Sequence, residues 1–177
     1  LGGTVVKKLI FLVLFVVIGC APKYTVIQND KESNNVSLSR DFSAYISLPQ
    51  DNTSSGHLYV GSGSEVASEL EFLFSQYLEN IVVGNSVESC NQGFDSAKTN
   101  GYDYYICPQI MQWEDYATEW NGIPDKIRLK VSIQSTKSEA IIDTFLIEGK
   151  GKVMSWGGDH PLDVVKEPMS QWVSSLF

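Results

Sequence analysis

From Lys126 to Ile133 polar and apolar residues alternate without a break, with Lys126, Arg128, Lys130 and Ser132 on one side and Ile127, Leu129, Val131 and Ile133 on the other. A period of two belongs to a strand, so one side of this stretch enters a core and the other faces water. That requirement constrains everything else. The chain needs a sheet with a covered face, and it needs other elements to cover it. Thr136-Lys137-Ser138 reads as a turn into a second run, Ala140 to Ile147, giving an antiparallel hairpin that continues toward Val153.

The covering elements lie on both sides of the hairpin. Val66, Leu70, Leu73, Phe74, Tyr77 and Ile81 fall on one helical stripe, and Ser62 with Glu65 has the spacing of a capping box at its start. The glycine loop before that helix lacks the lysine and the spacing of a nucleotide loop, and three nearby glutamates would repel phosphate. Ile81-Val82-Val83-Gly84 reads as a short buried strand. Ser86 to Asn100 reads as a second helix, with Val87, Cys90, Phe94 and Ala97 on one face, and Tyr102 to Met111 as a strand. Phe42–Leu48 and His57–Val60 are earlier strand candidates. The alternation of strand and helix implies βαβ crossovers. At the end, Leu162, Val165, Met169, Trp172, Val173 and Leu176 keep helical spacing, with Pro161 suited to the first helical position and a kink or break expected at Pro168. The assembled expectation is a single α/β (α+β) domain: a mixed sheet in the order β-(β)-α-β-α-β-β-β-α, with helices packed on it.

The N-terminus carries an address. Lys7 and Lys8 precede an uncharged apolar run, Leu9 to Ile18, which is too short to span a bilayer and has the flanks of a secretory signal. Val17-Ile18-Gly19-Cys20 resembles the bacterial lipobox. That resemblance implies cleavage before Cys20, diacylation of its thiol and acylation of the new amine. Two or three acyl chains anchor stably where one does not. Ala21 stands where an Asp would, in the enterobacterial pattern, retain a lipoprotein in the inner membrane. The outer membrane, with the domain facing the periplasm, is therefore the expected destination. The expected division is residues 1–19 as signal peptide, 20–41 as lipidated N-terminus and flexible tether, and 42–177 as the folded domain. Val26-Ile27 offers the tether its one chance of pairing as a strand.

Without residues 1–19 the chain has 11 basic against 21 acidic residues, a net charge of −10. An acidic domain is repelled by phosphate polymers and anionic lipid surfaces, so a nucleic-acid partner is not expected. The acids are spread and not blocked, which favours a solvated acidic surface. With Cys20 committed to lipid, Cys90 and Cys107 remain as an even pair in an oxidising compartment. They are expected to form a disulfide that joins a helix face to a sheet face, the alternative being two buried thiols. No CxxC or Cys/His cluster supports a redox or metal site.

Two motifs stand out as carriers of chemistry. Trp113-Glu114-Asp115-Tyr116-Ala117-Thr118-Glu119-Trp120-Asn121-Gly122-Ile123-Pro124-Asp125 places acids and indoles between two strands. It reads as a connection whose indoles cap the core and whose acids are solvated. It also has the residue types of a ligand or partner surface, and of the carboxylate pair that glycoside hydrolysis requires. Trp156-Gly157-Gly158-Asp159-His160-Pro161 contains one of only two histidines. With Pro161 at the first helical position, His160 falls at the N-cap and Asp163 at N3, so capping competes with a functional role.

Together with the lipobox, these motifs resemble a family of bacterial lipoproteins known only as a domain of unknown function. The matching residues are Trp113-Glu114-Asp115, Ala117-Thr118-Glu119-Trp120, Gly122, Pro124-Asp125 and Gly157-Gly158-Asp159-His160-Pro161. The resemblance covers most of residues 42–177 and implies no activity. The element order also looks like the small periplasmic α/β domains of the curli-secretion lipoprotein and of lipoprotein activators of peptidoglycan synthases, a likeness of fold only. The expected function is a non-enzymatic, lipid-anchored module that binds an envelope protein or a glycan such as peptidoglycan, with no cofactor beyond the covalent lipid on Cys20. The alternative is a carbohydrate-binding or glycan-cleaving domain built on Trp113–Trp120. Candidate surface residues are Trp113, Glu114, Asp115, Glu119, Trp120, Asp125, Asp159 and His160.

Overall fold

The computed structural model describes residues 23–29, 37–116, 123–151 and 160–177. In chain order these hold β1 (Lys23–Asn29), β2 (Ser43–Leu48), β3 (Thr53–Ser54), β4 (His57–Leu58), α1 (Ser62–Phe74), β5 (Asn80–Val87), α2 (Cys90–Thr99), β6 (Tyr104–Glu114), β7 (Lys126–Ser135), β8 (Ile141–Lys150), a 3-10 turn (Pro161–Val164) and α3 (Lys166–Ser174). Six strands form one mixed sheet in the order β1-β8-β7-β6-β2-β5, and β3 with β4 makes a separate small hairpin. β2 runs parallel to both of its neighbours, β5 and β6. The β6-β7-β8-β1 side is antiparallel throughout. The expected mixed α/β fold, with its two βαβ crossovers and its β7–β8 hairpin, is therefore present.

The sheet's two faces are unequal. Ala44 and Ile46 of β2, Ile106 of β6, Ile127 to Ile133 of β7 and Phe145 and Ile147 of β8 meet Val66, Leu70 and Phe74 of α1 and Met169, Trp172 and Val173 of α3 in the main core. Side chains of this size each contribute about 1.5–3 kcal/mol on full burial. On the opposite face α2 covers only the parallel half, through Ala97, Phe94, Tyr45, Tyr105 and Cys107. There Cys90 and Cys107 are joined, with their Cα atoms 5.6 Å apart, and tie α2 to β6. The remainder of that face, opposite the buried residues of β7, carries the polar half of the alternation.

Several local expectations are corrected. The stretch expected as a tether contains a strand: β1 pairs antiparallel with β8 from Lys23 opposite Lys150 to Asn29 opposite Phe145. Leu38, also placed before the domain, is buried, and its amide donates to the Leu176 carbonyl at 2.7 Å. Strand β5 is longer than Ile81–Gly84 and lies at the sheet's edge, with Val82 and Val87 exposed instead of buried. α2 starts at Cys90 because Ser89 and Gln92 form a capping box, which leaves Val87 in the strand. The break near Pro168 falls upstream, at Val165 between the 3-10 turn and α3. This puts Pro168 in the first turn of α3, where a missing N–H costs no helical bond. Val153 lies outside the described residues.

Candidate functional site

The start of α1 is fixed by a residue eleven positions upstream. Asp51 accepts from the amides of Gly61 (Oδ2, 3.0 Å) and Gly63 (Oδ1, 2.8 Å). The Ser62–Glu65 capping box does not form. Ser62 is buried and its Oγ accepts from the Asn52 amide at 2.9 Å. Gly63 is obligatory here, because a Cβ at this position would lie 2.2 Å from the Pro49 carbonyl oxygen. Gly61 supplies the left-handed turn, φ 95°, that leads into the helix. With the Asp51 carboxylate on these amides, the loop offers no anion site. What it does is hold Glu65, one turn in, at a fixed place.

Trp113 is aimed by a bulge. The β6–β7 register shifts between Ile110 and Gln112, so core residues are even-numbered before the shift and odd-numbered after it, and Trp113 pairs with Ile127 on the main core face. The β3–β4 hairpin is fastened to this place. Asn52 Nδ2 donates to the Ile110 carbonyl at 3.1 Å, and the Trp113 amide donates to Ser54 Oγ at 3.4 Å.

His160 brings the second motif to the same point. It caps the 3-10 turn as its spacing implied: Nδ1 accepts from the Leu162 amide at 3.4 Å, and its own amide donates to Asp163 Oδ2 at 3.4 Å. Its Nε2 meets Glu65 Oε2 at 3.0 Å, and its ring stands edge-on to the Trp113 indole, 5.3 Å between centroids. An accepting Nδ1 places the neutral imidazole's proton on Nε2, where it donates to Glu65. The result is a cleft of about 300 Å³ lined by His57, Tyr59, Glu65, Trp113, Asp115 and His160.

Glu114 faces the other way. On the open sheet face it accepts from Lys126 Nζ (2.8 Å), Gln112 Nε2 (2.7 Å) and the Tyr116 hydroxyl (2.8 Å). The Lys126 ammonium, with help from Gln112 and Tyr116, outweighs burial and holds the Glu114 carboxyl below its usual range. Lys126 and Tyr116 are pushed up by the same hydrogen bonds to Glu114. Asp125 is buried, and its Oδ1 accepts from the Tyr116 amide at 2.8 Å, so it pins the ends of the loop. Strand alternation has thus separated Glu114 from Asp115, and the two do not form a catalytic pair. Trp113 is only 2% exposed, which makes it the floor of the cleft and not a stacking platform. Among the described residues no group of three or more His, Cys, Asp or Glu side chains is placed to hold a metal. Cys20, Glu119, Trp120 and Asp159 lie outside the described residues.

His57, Tyr59 and Glu65 belong to the cleft, although the sequence pattern marks them only as strand and cap residues. One signal was available: the chain has two histidines, and both line this cleft. A second concavity, of about 580 Å³, lies where β2 and β5 end beside the first turn of α2. Behind it Tyr45 donates to Glu88 Oε2 at 2.7 Å, and Tyr105 lies 3.0 Å from Ser47 Oγ. Burial pushes the Tyr105 hydroxyl up to about 12, and burial together with Glu88 pushes Tyr45 higher still.

Residues 36–176 match the family model of a domain of unknown function, DUF4823. None of the curated proteins matches the chain. Among solved structures it is similar to two PelC dodecamers from Paraburkholderia phytofirmans. One has a TM-score of 0.63 at 10% identity, covering 88% of this chain and 98% of that one. The other has a TM-score of 0.60 at 9% identity, covering 87% and 94%. Lipoprotein GNA1162 from Neisseria meningitidis has a TM-score of 0.47 at 10% identity, covering 76% and 97%. At these identities the likeness is one of fold.

Proposed function

The chain belongs to the DUF4823 family, and we propose that it is a non-catalytic binding module, anchored through lipid on Cys20 to the outer membrane and facing the periplasm. In this reading it takes an envelope protein or a glycan segment in the cleft where its two motifs meet. The observation that carries the reading is the Trp113–His160 contact, which brings the distinctive motifs of the sequence to one concave surface. The acids do not favour catalysis. Glu114 is committed to Lys126 on the opposite face, and Glu65 is engaged by His160. The glycan-cleaving alternative loses Glu114 as a partner for Asp115, while a binding role needs only the shape and polarity of the cleft. No cofactor is required.

The test is photo-crosslinking in intact cells, with a photoreactive residue placed at Leu58 or Val60. Both are well exposed and lie on the cleft rim. The control is Ile141, at the far end of β8, about 30 Å along the strand from Lys150. Adducts from the rim that disappear with His160→Ala are expected. Identical adducts from Ile141, or none from the rim, would overturn the reading.

A further inference from the structure

The charge of this acidic protein is sorted by face. Residues that pair directly across neighbouring strands project to the same side of a sheet. One such row runs Lys23, Lys150, Lys126, Glu114, and the next runs Thr25, Glu148, Arg128, Gln112. Lys130 follows one row on, opposite Gln109 and Leu146. Among the described residues, the open face of the antiparallel half therefore gathers Lys23, Lys126, Arg128, Lys130 and Lys150 against Glu114 and Glu148. The α1 side is acidic, with Glu65, Glu69 and Glu71 on the helix and Asp163 and Glu167 beside it. Of the five cations, Lys126 is neutralised by Glu114. Among the described residues no ion pair engages Lys23, Arg128, Lys130 or Lys150. The Nε of Arg128 is buried without a hydrogen-bond partner.

The position of this face along the chain says what it meets. Lys23 is three residues after Cys20, so the amine row stands at most about 11 Å of extended chain from the anchored residue. That is comparable to the screening length of about 8–10 Å at physiological salt. We propose that the open sheet face, led by Lys23 and Lys150, docks on the anionic headgroups of the leaflet that holds the Cys20 acyl chains. The proposal rests on the lipidated reading of Cys20. Net charge argued for repulsion from such a surface, but the sheet presents the opposite local sign. Docking also orients the molecule. Trp113, Asp115 and His160 lie at the Lys150 end of the sheet, so the cleft opens close to the bilayer and not at the end of a tether.

The test uses the mature protein reconstituted in vesicles of phosphatidylcholine alone, or with about a third phosphatidylglycerol, and reads the amine labelling of each lysine by peptide mass spectrometry. In anionic vesicles Lys23, Lys130 and Lys150 should be protected about fivefold or more, while Lys137, on the turn at the other end of the sheet, keeps its reactivity. High salt should remove the protection. The double variant K23E/K150E, which touches only exposed side chains, should return Lys130 to its neutral-vesicle reactivity. Equal labelling in both vesicle types overturns the proposal. So does protection by soluble heparin as strong as that by anionic vesicles, which would assign the face to a polymer. Intact mass reads the acyl groups on Cys20 separately. Their absence sinks the functional reading, while the labelling contrast still decides the face.

Discussion

The imidazole of His160 packs edge-on against the indole of Trp113, 5.3 Å between centroids, while its Nε2 reaches Glu65 of α1 at 3.0 Å. One side chain therefore joins the last residues of β6, the turn before α3 and the first turn of α1. His160→Ala removes the cap on the 3-10 turn and both contacts, and should cost about 1–2 kcal/mol. His160→Asn keeps a capping side chain but neither contact, and should recover part of that loss. Urea midpoints of the two variants at neutral pH measure the split. Equal losses would assign the whole effect to the lost ring contacts.

Glu114 ties stability to pH. Its folded carboxyl titrates below the unfolded one because of Lys126, Gln112 and Tyr116. The stabilisation is thus fully present above the unfolded value, near 4.3–4.5, and is lost as pH falls through the folded value. Asp103 and Asp163 act in the same direction. In each, burial raises the pKa, but ion pairing with Lys137 or Lys166 and backbone hydrogen bonds outweigh it. Glu114→Gln should cost about 1 kcal/mol at pH 7 and little at pH 3. Thermal midpoints across that range should show a shallower acid limb for the variant.

How much of this was legible depends on how local each signal is. The alternation from Lys126 to Ile133 reads correctly because a period of two has one structural meaning, and the helix stripe reads correctly as far as Phe74; Tyr77 and Ile81, read on the same stripe, fall in the turn after the helix and in β5. The Cys90–Cys107 bridge followed from placing one residue on a helix face and the other on a sheet face. What failed was set by distant partners or by register. Asp51 caps a helix that begins eleven residues later, beyond the window in which Ser62 and Glu65 looked sufficient. The bulge before Gln112 inserts one residue without a compositional mark, yet it decides that Trp113 faces the core and Glu114 the open side. Asp143 is a parallel case. A register shift puts it on the core face of β8, where Trp172 Nε1 donates to its Oδ2 at 2.9 Å.

That buried pair gives a clean test. Trp172→Phe keeps most of the ring that stacks on Phe145, 4.8 Å between centroids, but withdraws the donor from Asp143. A buried carboxylate oxygen without its partner should cost about 1–3 kcal/mol. The double variant Trp172→Phe with Asp143→Asn should recover part of it. Chemical denaturation of both variants gives the comparison.

The disulfide clamps the smaller of the two cores, where α2 has few apolar contacts beyond Ala97 and Phe94. It closes a separation of 17 residues, for which the chain-entropy model gives about 3 kcal/mol. Reduction, or paired Cys90→Ala and Cys107→Ala, should lower stability by that order. The loss should appear first as faster amide exchange in α2, with β7 and β8 still protected.

The α1 entry separates a backbone constraint from a charge constraint. Gly63→Ala puts a methyl where only 2.2 Å separates its position from the Pro49 carbonyl oxygen, which is backbone and cannot rotate away. The helix must then lift off β2, and a loss above about 2 kcal/mol is expected. Asp51→Asn keeps one acceptor for the Gly61 or Gly63 amide and should cost about 1 kcal/mol, Asp51→Ala about 2. Because Glu65 sits one turn into this helix, lifting it also moves the carboxylate away from His160. The two mutations therefore diverge in a second readout. Gly63→Ala should abolish rim crosslinking from Leu58 even at temperatures where the chain stays folded, while Asp51→Asn should leave it intact. Crosslinking retained in folded Gly63→Ala would show that the cleft does not depend on where α1 begins.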